Sequence, residues 1–160
     1  MHIPVVRILR KKSYLAMVRN AAKGENHMFR NNYALVDGEE QDINRNGELA
    51  CSFFVSAILY VNKFIGDMHA GTIGLEKDLE KSGWHLIDRP REGAVIVWEP
   101  RKASFVPGMG HEHGHLGFSI GNDRAISNGS NSTHMPEEHH YTYDGTRKIE
   151  RIWFHPDLEE

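Results

Sequence analysis

CSFFVSAILYVNKFI, residues 51–65, is the longest apolar run in the chain and begins with its single cysteine. Wound as a helix, the run is apolar on nearly every side, which is typical of a central helix that packs against more than one neighbour. Gly66 follows directly and is a suitable helix stop. The sequence therefore predicts a buried helix from about residue 49 to residue 65, with Cys51 in its first turn.

Four short segments in the second half of the chain have the pattern of strands. The clearest is HLGFSIG, residues 115–121, in which apolar residues alternate with small or polar ones. Because side chains alternate across a strand, Leu116, Phe118 and Ile120 share one face, and His115 lies on the other. The predicted strands are AVIVW (94–98), HLGFSIG (115–121), RAISN (124–128) and IERIWF (149–154).

The rest of the chain predicts two more helices and a polar segment. Helical spacing of apolar residues predicts a helix within residues 4–22, and residues 73–82 predict an amphipathic helix with Thr72 as its N-cap. Residues 25–47 are rich in Asn, Asp, Glu and Gly, which predicts an irregular segment. Because helices come first and strands follow, we expect an α+β fold with N-terminal helices packed on an antiparallel β-sheet.

Two stretches between the predicted strands, 99–112 and 129–140, are rich in Gly, Pro, Ser, Asn and His. Stretches of that length in a compact domain are often binding loops. No linker or internal repeat divides the chain. We therefore predict a single domain over residues 1–160, with a helical and irregular part over 1–45 and a core over 46–155.

Composition and charge exclude several classes of function. The hydrophobic share of 39% and the charged share of 26% are ordinary for a globular protein. With 19 basic and 22 acidic residues the formal net charge is −3, so we expect no nucleic-acid partner. The basic cluster near the start is interpreted as a solvated helix face; its members are Arg7, Arg10, Lys11 and Lys12.

A single cysteine cannot form an internal disulfide, so oxidation does not hold this fold together. Polar residues interrupt the longest apolar run, and we expect no membrane span. Basic residues interrupt the first twenty positions and no small-residue cleavage site follows, so no signal peptide is predicted. The sequence predicts a soluble protein and leaves open its location, including export to the cell wall, and its oligomeric state.

Cys51 and His115 have the residue types of a thiolate nucleophile and its base. The first turn of a helix carries partial positive charge, which favours an ionised thiol at Cys51. Gly117 and Ser119 share the predicted face of His115 and leave room beside its ring. We expect a helix packed on that face to bring the two side chains within hydrogen-bond reach, which predicts acyl transfer from an amide or ester, above all hydrolysis.

A catalytic histidine is usually oriented by a third polar group, and the returning strand offers Ser127 and Asn128. If the turn at 122–123 has two residues, Asn128 lies on the face of His115. If the turn has three residues, Ser127 lies there instead and Ile126 joins the apolar set. An amide oxygen is the better acceptor for an imidazole N–H, so we choose Asn128 as the third catalytic residue and keep Ser127 as the alternative.

Three segments in this order resemble the NlpC-type and CHAP-type cell-wall cysteine peptidases, whose fold is papain-like. ELACSFFVSAIL resembles their nucleophile helix, PREGAVIVWEP their strand after a proline-glycine turn, and HLGFSIGNDRAISN their histidine strand, hairpin and return strand. The similarity covers residues 45–155. It implies a papain-like domain with Cys51 as nucleophile, His115 as base and then acid, and Asn128 or Ser127 as the orienting group.

The resemblance also implies an activity and a substrate class. These enzymes cleave peptide or amide bonds in peptidoglycan stems or cross-bridges, so we expect a thiol peptidase or amidase that needs no cofactor and no metal. The Cys51 N–H would hold the oxyanion. Tyr33 is a candidate second donor, because an upstream tyrosine serves in related enzymes.

Two departures bear on the branch of the family. NlpC-type members carry Asp before the cysteine and Ser-Gly after it, whereas this chain has Ala50 before Cys51 and Phe53 two residues after it. That makes the helix more similar to the CHAP style. The NlpC branch often has histidine where Ser127 stands, so the resemblance leaves the third residue, the branch and the substrate open.

Two other functions remain as alternatives. One is a non-catalytic wall-binding module on the same fold. The other is a metal-binding protein, because six of the eleven histidines are spaced so that subsets of them would assemble a zinc or similar site. Those six are His111, His113, His115, His134, His139 and His140.

Overall fold

A computed structural model describes residues 1–101 and 114–159. The described part combines helices with antiparallel sheets, as the predicted α+β class requires. The helices are α1 (Arg10–Ala21), α2 (Cys51–Val61) and α3 (Thr72–Lys81), and a short 3₁₀ helix covers Pro156–Leu158. The strands are β1 (Tyr33–Val36), β2 (Glu39–Asp42), β3 (His85–Leu86), β4 (Val95–Trp98), β5 (His115–Gly121), β6 (Arg124–Asn128), β7 (Pro136–His140) and β8 (Ile149–Phe154).

The main sheet has six strands in the order β3-β8-β4-β5-β6-β7, and each neighbouring pair is antiparallel. Its four central strands are those predicted from the apolar segments. β4 and β5 are paired so that Trp98 lies opposite His115, at the end of the sheet where β5 begins. β1 and β2 form a separate hairpin.

Helix α2 packs on the sheet face that carries Leu116, Phe118 and Ile126, where the main core lies. Phe54 of α2 meets Phe118 edge to face, with ring centroids 5.5 Å apart. Burying such rings contributes roughly 1.5–3 kcal/mol each. Since α2 lies on this face, the expectation that a helix packs on the face of His115 is wrong.

A smaller apolar cluster covers the opposite face of the sheet. It contains Ile96, Trp98 and Ala125, with Tyr141 and Tyr143 packed against them. This is the face towards which the His115 ring points, since the ring centroid is 5.5 Å from that of Trp98. His115 is therefore enclosed by aromatic side chains on the far side of the sheet from α2.

Two segments predicted as irregular contain strands instead. Within 25–47, the β1–β2 hairpin turns at Asp37 and Gly38, which have positive φ values of 52° and 86°. Within 129–140, PEEHH forms β7 at the sheet edge. PEEHH has no apolar face, and YALV of β1 is apolar without alternation, so the alternation rule detects neither.

Two smaller expectations have different outcomes. Thr72 is the first residue of α3 rather than its N-cap, which is Gly71. Most of the predicted loop 99–112 lies outside the described residues.

Within the part of the chain that is described, no helix combines the length and the apolar character that crossing a membrane requires.

Candidate active site

Cys51 is the first residue of α2, directly after a tight reversal of the chain. Asn46 and Gly47 have positive φ values of 53° and 92°. A side chain at Gly47 would place its Cβ 2.5 Å from the His134 carbonyl oxygen, so only glycine fits. Asn128 Nδ2 donates a 2.7 Å hydrogen bond to the Gly47 carbonyl and ties this turn to β6. The predicted position of Cys51 in the first turn of a helix is confirmed.

The Cys51 sulfur lies against the backbone at the start of β5. Sγ is 3.9 Å from the Gly114 carbonyl oxygen, and the Leu116 N–H donates to the sulfur. These two groups flank His115 in the chain. The thiol is 8% exposed, and burial raises its pKa, although hydrogen bonds from Leu116 and Ser52 and the charge of Arg147 act in the opposite direction. The resting cysteine is therefore a thiol, not the thiolate that the helix position alone suggested.

The His115 ring is buried beneath Trp98 and hydrogen-bonded to Ser127, with 3.0 Å between Nε2 and Oγ. Burial holds the pKa of this ring well below its ordinary value of 6.5, and the charges of Arg147 and His139 act in the same direction. The imidazole is therefore neutral at neutral pH. A neutral imidazole has one nitrogen that donates and one that accepts.

A hydrogen-bonded chain behind the ring decides which nitrogen carries the proton. His139 Nδ1–H donates to the His140 carbonyl at 2.8 Å, so its Nε2 accepts the hydroxyl proton of Ser127, also at 2.8 Å. The Ser127 oxygen then accepts from His115 Nε2–H and, at 2.8 Å, from the Tyr143 hydroxyl. This pattern assigns the proton to Nε2 of His115 and, as far as residues 1–101 and 114–159 show, leaves Nδ1 without a hydrogen-bond partner.

The structure places Ser127, not Asn128, beside His115. The β5–β6 turn has the two residues Asn122 and Asp123, but a bulge between Ser119 and Gly121 adds one residue to β5. A one-residue bulge reverses which face each later residue occupies. Asn128 therefore points to the α2 side, where its Nδ2 donates to the Gly47 carbonyl and to Ser130 Oγ. Its Oδ1 is buried and has no hydrogen-bond partner among the described residues.

Cys51 and His115 border one cavity of about 220 Å³. Within the described residues no hydrogen bond joins the sulfur to the ring, so the expected hydrogen bond between them is not formed. Thr72 also lines it, with Oγ1 3.2 Å from Ser52 Oγ and 3.4 Å from the Gly114 carbonyl. The full lining consists of Ile43, Glu48, Leu49, Cys51, Ser52, Ala70, Gly71, Thr72, Gly114, His115, Ser130, Asn131 and Arg147. Tyr33, the candidate oxyanion donor, is 66% exposed on β1 and is not part of the lining.

Three contributors to this site were not assigned to it from the sequence, although His139 was named there as a candidate metal ligand. His139 lies on β7, which was predicted as loop, while Tyr143 and Arg147 lie between β7 and β8. All three come from the segment after the return strand, whose polar sequence has no clear periodicity. The pairing of β7 with β6 brings His139 opposite Ala125 and so within reach of Ser127.

The histidines proposed for a metal site do not form one within the described residues, although His115 and His139 both contact Ser127. His111 and His113 lie outside the described residues. His139 is engaged by Ser127 and the His140 carbonyl, and His140 Nδ1 accepts from Thr142. Within residues 1–101 and 114–159, no group of three or more His, Cys, Asp or Glu side chains is arranged to hold a metal ion.

Comparison with protein-family models gives no match for this chain, and no curated protein is significantly similar to it. Its function is therefore argued from the geometry of the site.

Proposed function

We propose that this protein is a cysteine hydrolase, a peptidase or amidase, with Cys51 as the nucleophile and His115 as the base. One observation carries the proposal: the only thiol of the chain and a tautomerically fixed imidazole border the same cavity. The third residue in this proposal is Ser127, because it holds Nε2 and leaves Nδ1 to receive a proton.

The resting pair is neutral, so proton transfer accompanies the attack. The thiol proton moves to His115 Nδ1 as sulfur bonds to the carbonyl carbon, and the imidazolium then gives that proton to the departing amine. A thioester remains, and water activated by the same nitrogen hydrolyses it to the acid and free thiol. At the first position of α2 the Cys51 N–H has no intrahelical acceptor, so it is available for the oxyanion.

The buried environment supports this assignment of roles. Burial destabilises both charged forms, so a thiolate–imidazolium pair is not populated at rest and the proton leaves the sulfur only as the sulfur attacks the carbonyl carbon. Leu116 N–H and the positive charge of Arg147 are the groups that would stabilise negative charge on the sulfur. No cofactor takes part in the sequence of steps.

For the fold and substrate we propose the papain-like arrangement and a peptidoglycan peptide. The order of elements supports this: a helix that begins with Cys51, then β4, then β5 with His115, then β6 with its polar residue. The substrate class rests on the resemblance of residues 45–155 to NlpC-type and CHAP-type enzymes.

The test is hydrolysis of defined peptidoglycan fragments, followed by mass spectrometry, with Cys51→Ala and Cys51→Ser beside the wild type. We expect both variants to lose turnover while the melting temperature changes little. His85→Gln, a change at an exposed position on the outer strand β3, is the matched control and should retain full activity. Turnover in Cys51→Ala, or wild-type hydrolysis that survives complete alkylation of Cys51, contradicts the proposal.

A further inference from the structure

Arg147 is a buried cation in the wall of the Cys51 cavity. It is 7% exposed, and its Nε donates a 2.9 Å hydrogen bond to the Glu99 carbonyl. Its guanidinium carbon lies 5.6 Å from the centre of the Tyr143 ring. Within residues 1–101 and 114–159, it forms no ion pair with a carboxylate, and its two terminal nitrogens have no hydrogen-bond acceptor.

The charge of Glu99 acts on the Arg147 guanidinium, but among the described residues no carboxylate lies within ion-pair distance of it. Burying a charge without such a pair is costly. Burial does lower the pKa of Arg147, but arginine stays protonated in proteins. Its positive charge acts to lower the pKa of the Cys51 thiol and the pKa of the His115 ring. The cavity therefore contains a fixed positive charge next to the proposed nucleophile.

The other charged group on the cavity lining is the carboxylate of Glu48. That residue is exposed, so water screens its charge, whereas Arg147 is shielded from solvent. Four of the five guanidinium N–H donors are on the terminal nitrogens, in a planar fork that matches two carboxylate oxygens. An incoming carboxylate would pair with Arg147 rather than compete with an existing partner.

We propose that Arg147 binds a carboxylate of the substrate, so that the preferred substrates are peptides or amides with a free carboxylate beside the bond that Cys51 attacks. This inference rests on the proposed function, which it makes more specific. The cavity of about 220 Å³ is smaller than a drug-sized pocket, so it holds about one residue and its carboxylate.

Alkylation of Cys51 tests the inference without requiring turnover. Iodoacetate and iodoacetamide both alkylate sulfur with loss of iodide, but only iodoacetate carries a carboxylate. Because the chain has one cysteine, each rate constant reports a single site. For each protein we take the quotient of the iodoacetate rate constant over the iodoacetamide rate constant. The preference is the quotient for the folded protein divided by the quotient for the same chain unfolded in urea. The expected preference in the folded wild type is about tenfold or more.

Three substitutions show whether Arg147 causes the preference. Arg147→Gln should lower it about tenfold, and Arg147→Lys should retain part of it because the charge remains. The control is Arg101→Gln, which removes a nearby cation that lies 5.2 Å from the Tyr143 ring but does not line the cavity. That control should leave the preference unchanged.

The outcomes separate the two proposals. A folded wild type with no preference for iodoacetate overturns the role of Arg147, even if Arg147→Gln fails to fold. A preference that persists in a folded Arg147→Gln protein also overturns it. Hydrolysis that survives complete alkylation of Cys51 overturns its role as nucleophile, while the quotient of rates still reports on Arg147.

Discussion

Ser127 Oγ lies 3.0 Å from His115 Nε2, and this contact joins the proposed base to a cluster of hydrogen-bonded side chains that includes His139 and Tyr143. The hydroxyl cannot rotate freely, because it donates to His139 and accepts from Tyr143. Because Ser127 donates its only hydroxyl proton to His139, its oxygen can act towards His115 only as a hydrogen-bond acceptor. The His115 tautomer depends on that hydrogen bond to His139.

Replacing Ser127 with alanine should lower the rate of hydrolysis by roughly 10- to 100-fold, because the ring loses the acceptor that fixes its tautomer. The measurement is kcat on a peptidoglycan fragment together with its pH profile. The matched control is Asn128→Ala, on the opposite face of β6. It should instead lower the free energy of unfolding by about 1–3 kcal/mol, because the buried Gly47 carbonyl loses its donor. A larger kcat loss for Asn128→Ala than for Ser127→Ala would contradict this division of roles.

His139→Phe should weaken the activity through the tautomer of His115. The phenyl ring can keep the stacking on Tyr143, where the ring centroids are 3.9 Å apart, but it cannot accept the Ser127 proton. The hydroxyl is then free to donate to His115 Nε2, which moves the ring proton to Nδ1, the nitrogen needed as base. Nitrogen NMR of labelled histidine should show this change, with about a tenfold loss of kcat.

The conservative variant His139→Gln offers an amide oxygen as acceptor and should restore part of the activity and the original tautomer. If the His115 tautomer is unchanged in His139→Phe, the hydrogen-bonded chain through Ser127 does not determine that tautomer.

Acid should destabilise the fold from about pH 6.5 downward. The folded-state pKa of His115 lies well below 6.5 because the ring is buried, and burial also lowers that of His139. Between the folded and unfolded values the unfolded chain binds more protons, so the free energy of unfolding falls as pH falls, by up to about 1.4 kcal/mol per pH unit for each ring. Above about pH 6.5 both rings are neutral in the folded and the unfolded state, so they no longer change the free energy of unfolding as pH rises.

Urea unfolding at several pH values between 5 and 8 measures this dependence. The variant His115→Gln, which cannot titrate, should show a shallower fall below pH 6.5 than the wild type. Equal slopes in the two proteins would mean that His115 is not the buried titrating group.

Gly117→Ala should destabilise the protein by about 1–3 kcal/mol through overpacking. A Cβ at Gly117 would lie 2.6 Å from the Ile126 carbonyl oxygen and 2.7 Å from Ser127 Cβ, and the backbone cannot move aside cheaply. The same clash would push Ser127 from His115. Gly66→Ala, where the nearest atom to the new Cβ is an Asp78 carboxylate oxygen at 3.5 Å, an ordinary contact, is the control and should leave thermal stability nearly unchanged. Equal melting temperatures for the two variants would refute the predicted clash.

Local patterns were enough to predict the central elements of the fold. The bounds of β5, β6 and β8 agree with the apolar segments from which they were predicted, and α2 begins at Cys51. β7 was missed because PEEHH has no apolar face. Its consequence for function is large, since β7 supplies His139.

What the sequence determined by itself was the local pattern: a helix from about residue 49, apolar on nearly every side, with Cys51 in its first turn, and an alternating strand that starts at His115. Periodicity depends on neighbours along the chain, so it can be read without coordinates. Tertiary structure alone decided the sheet face that α2 covers, the bulge that exchanges Asn128 for Ser127, and the approach of Arg147 to the sulfur. These depend on packing between segments far apart in sequence, where one extra residue in a strand reverses every side chain that follows.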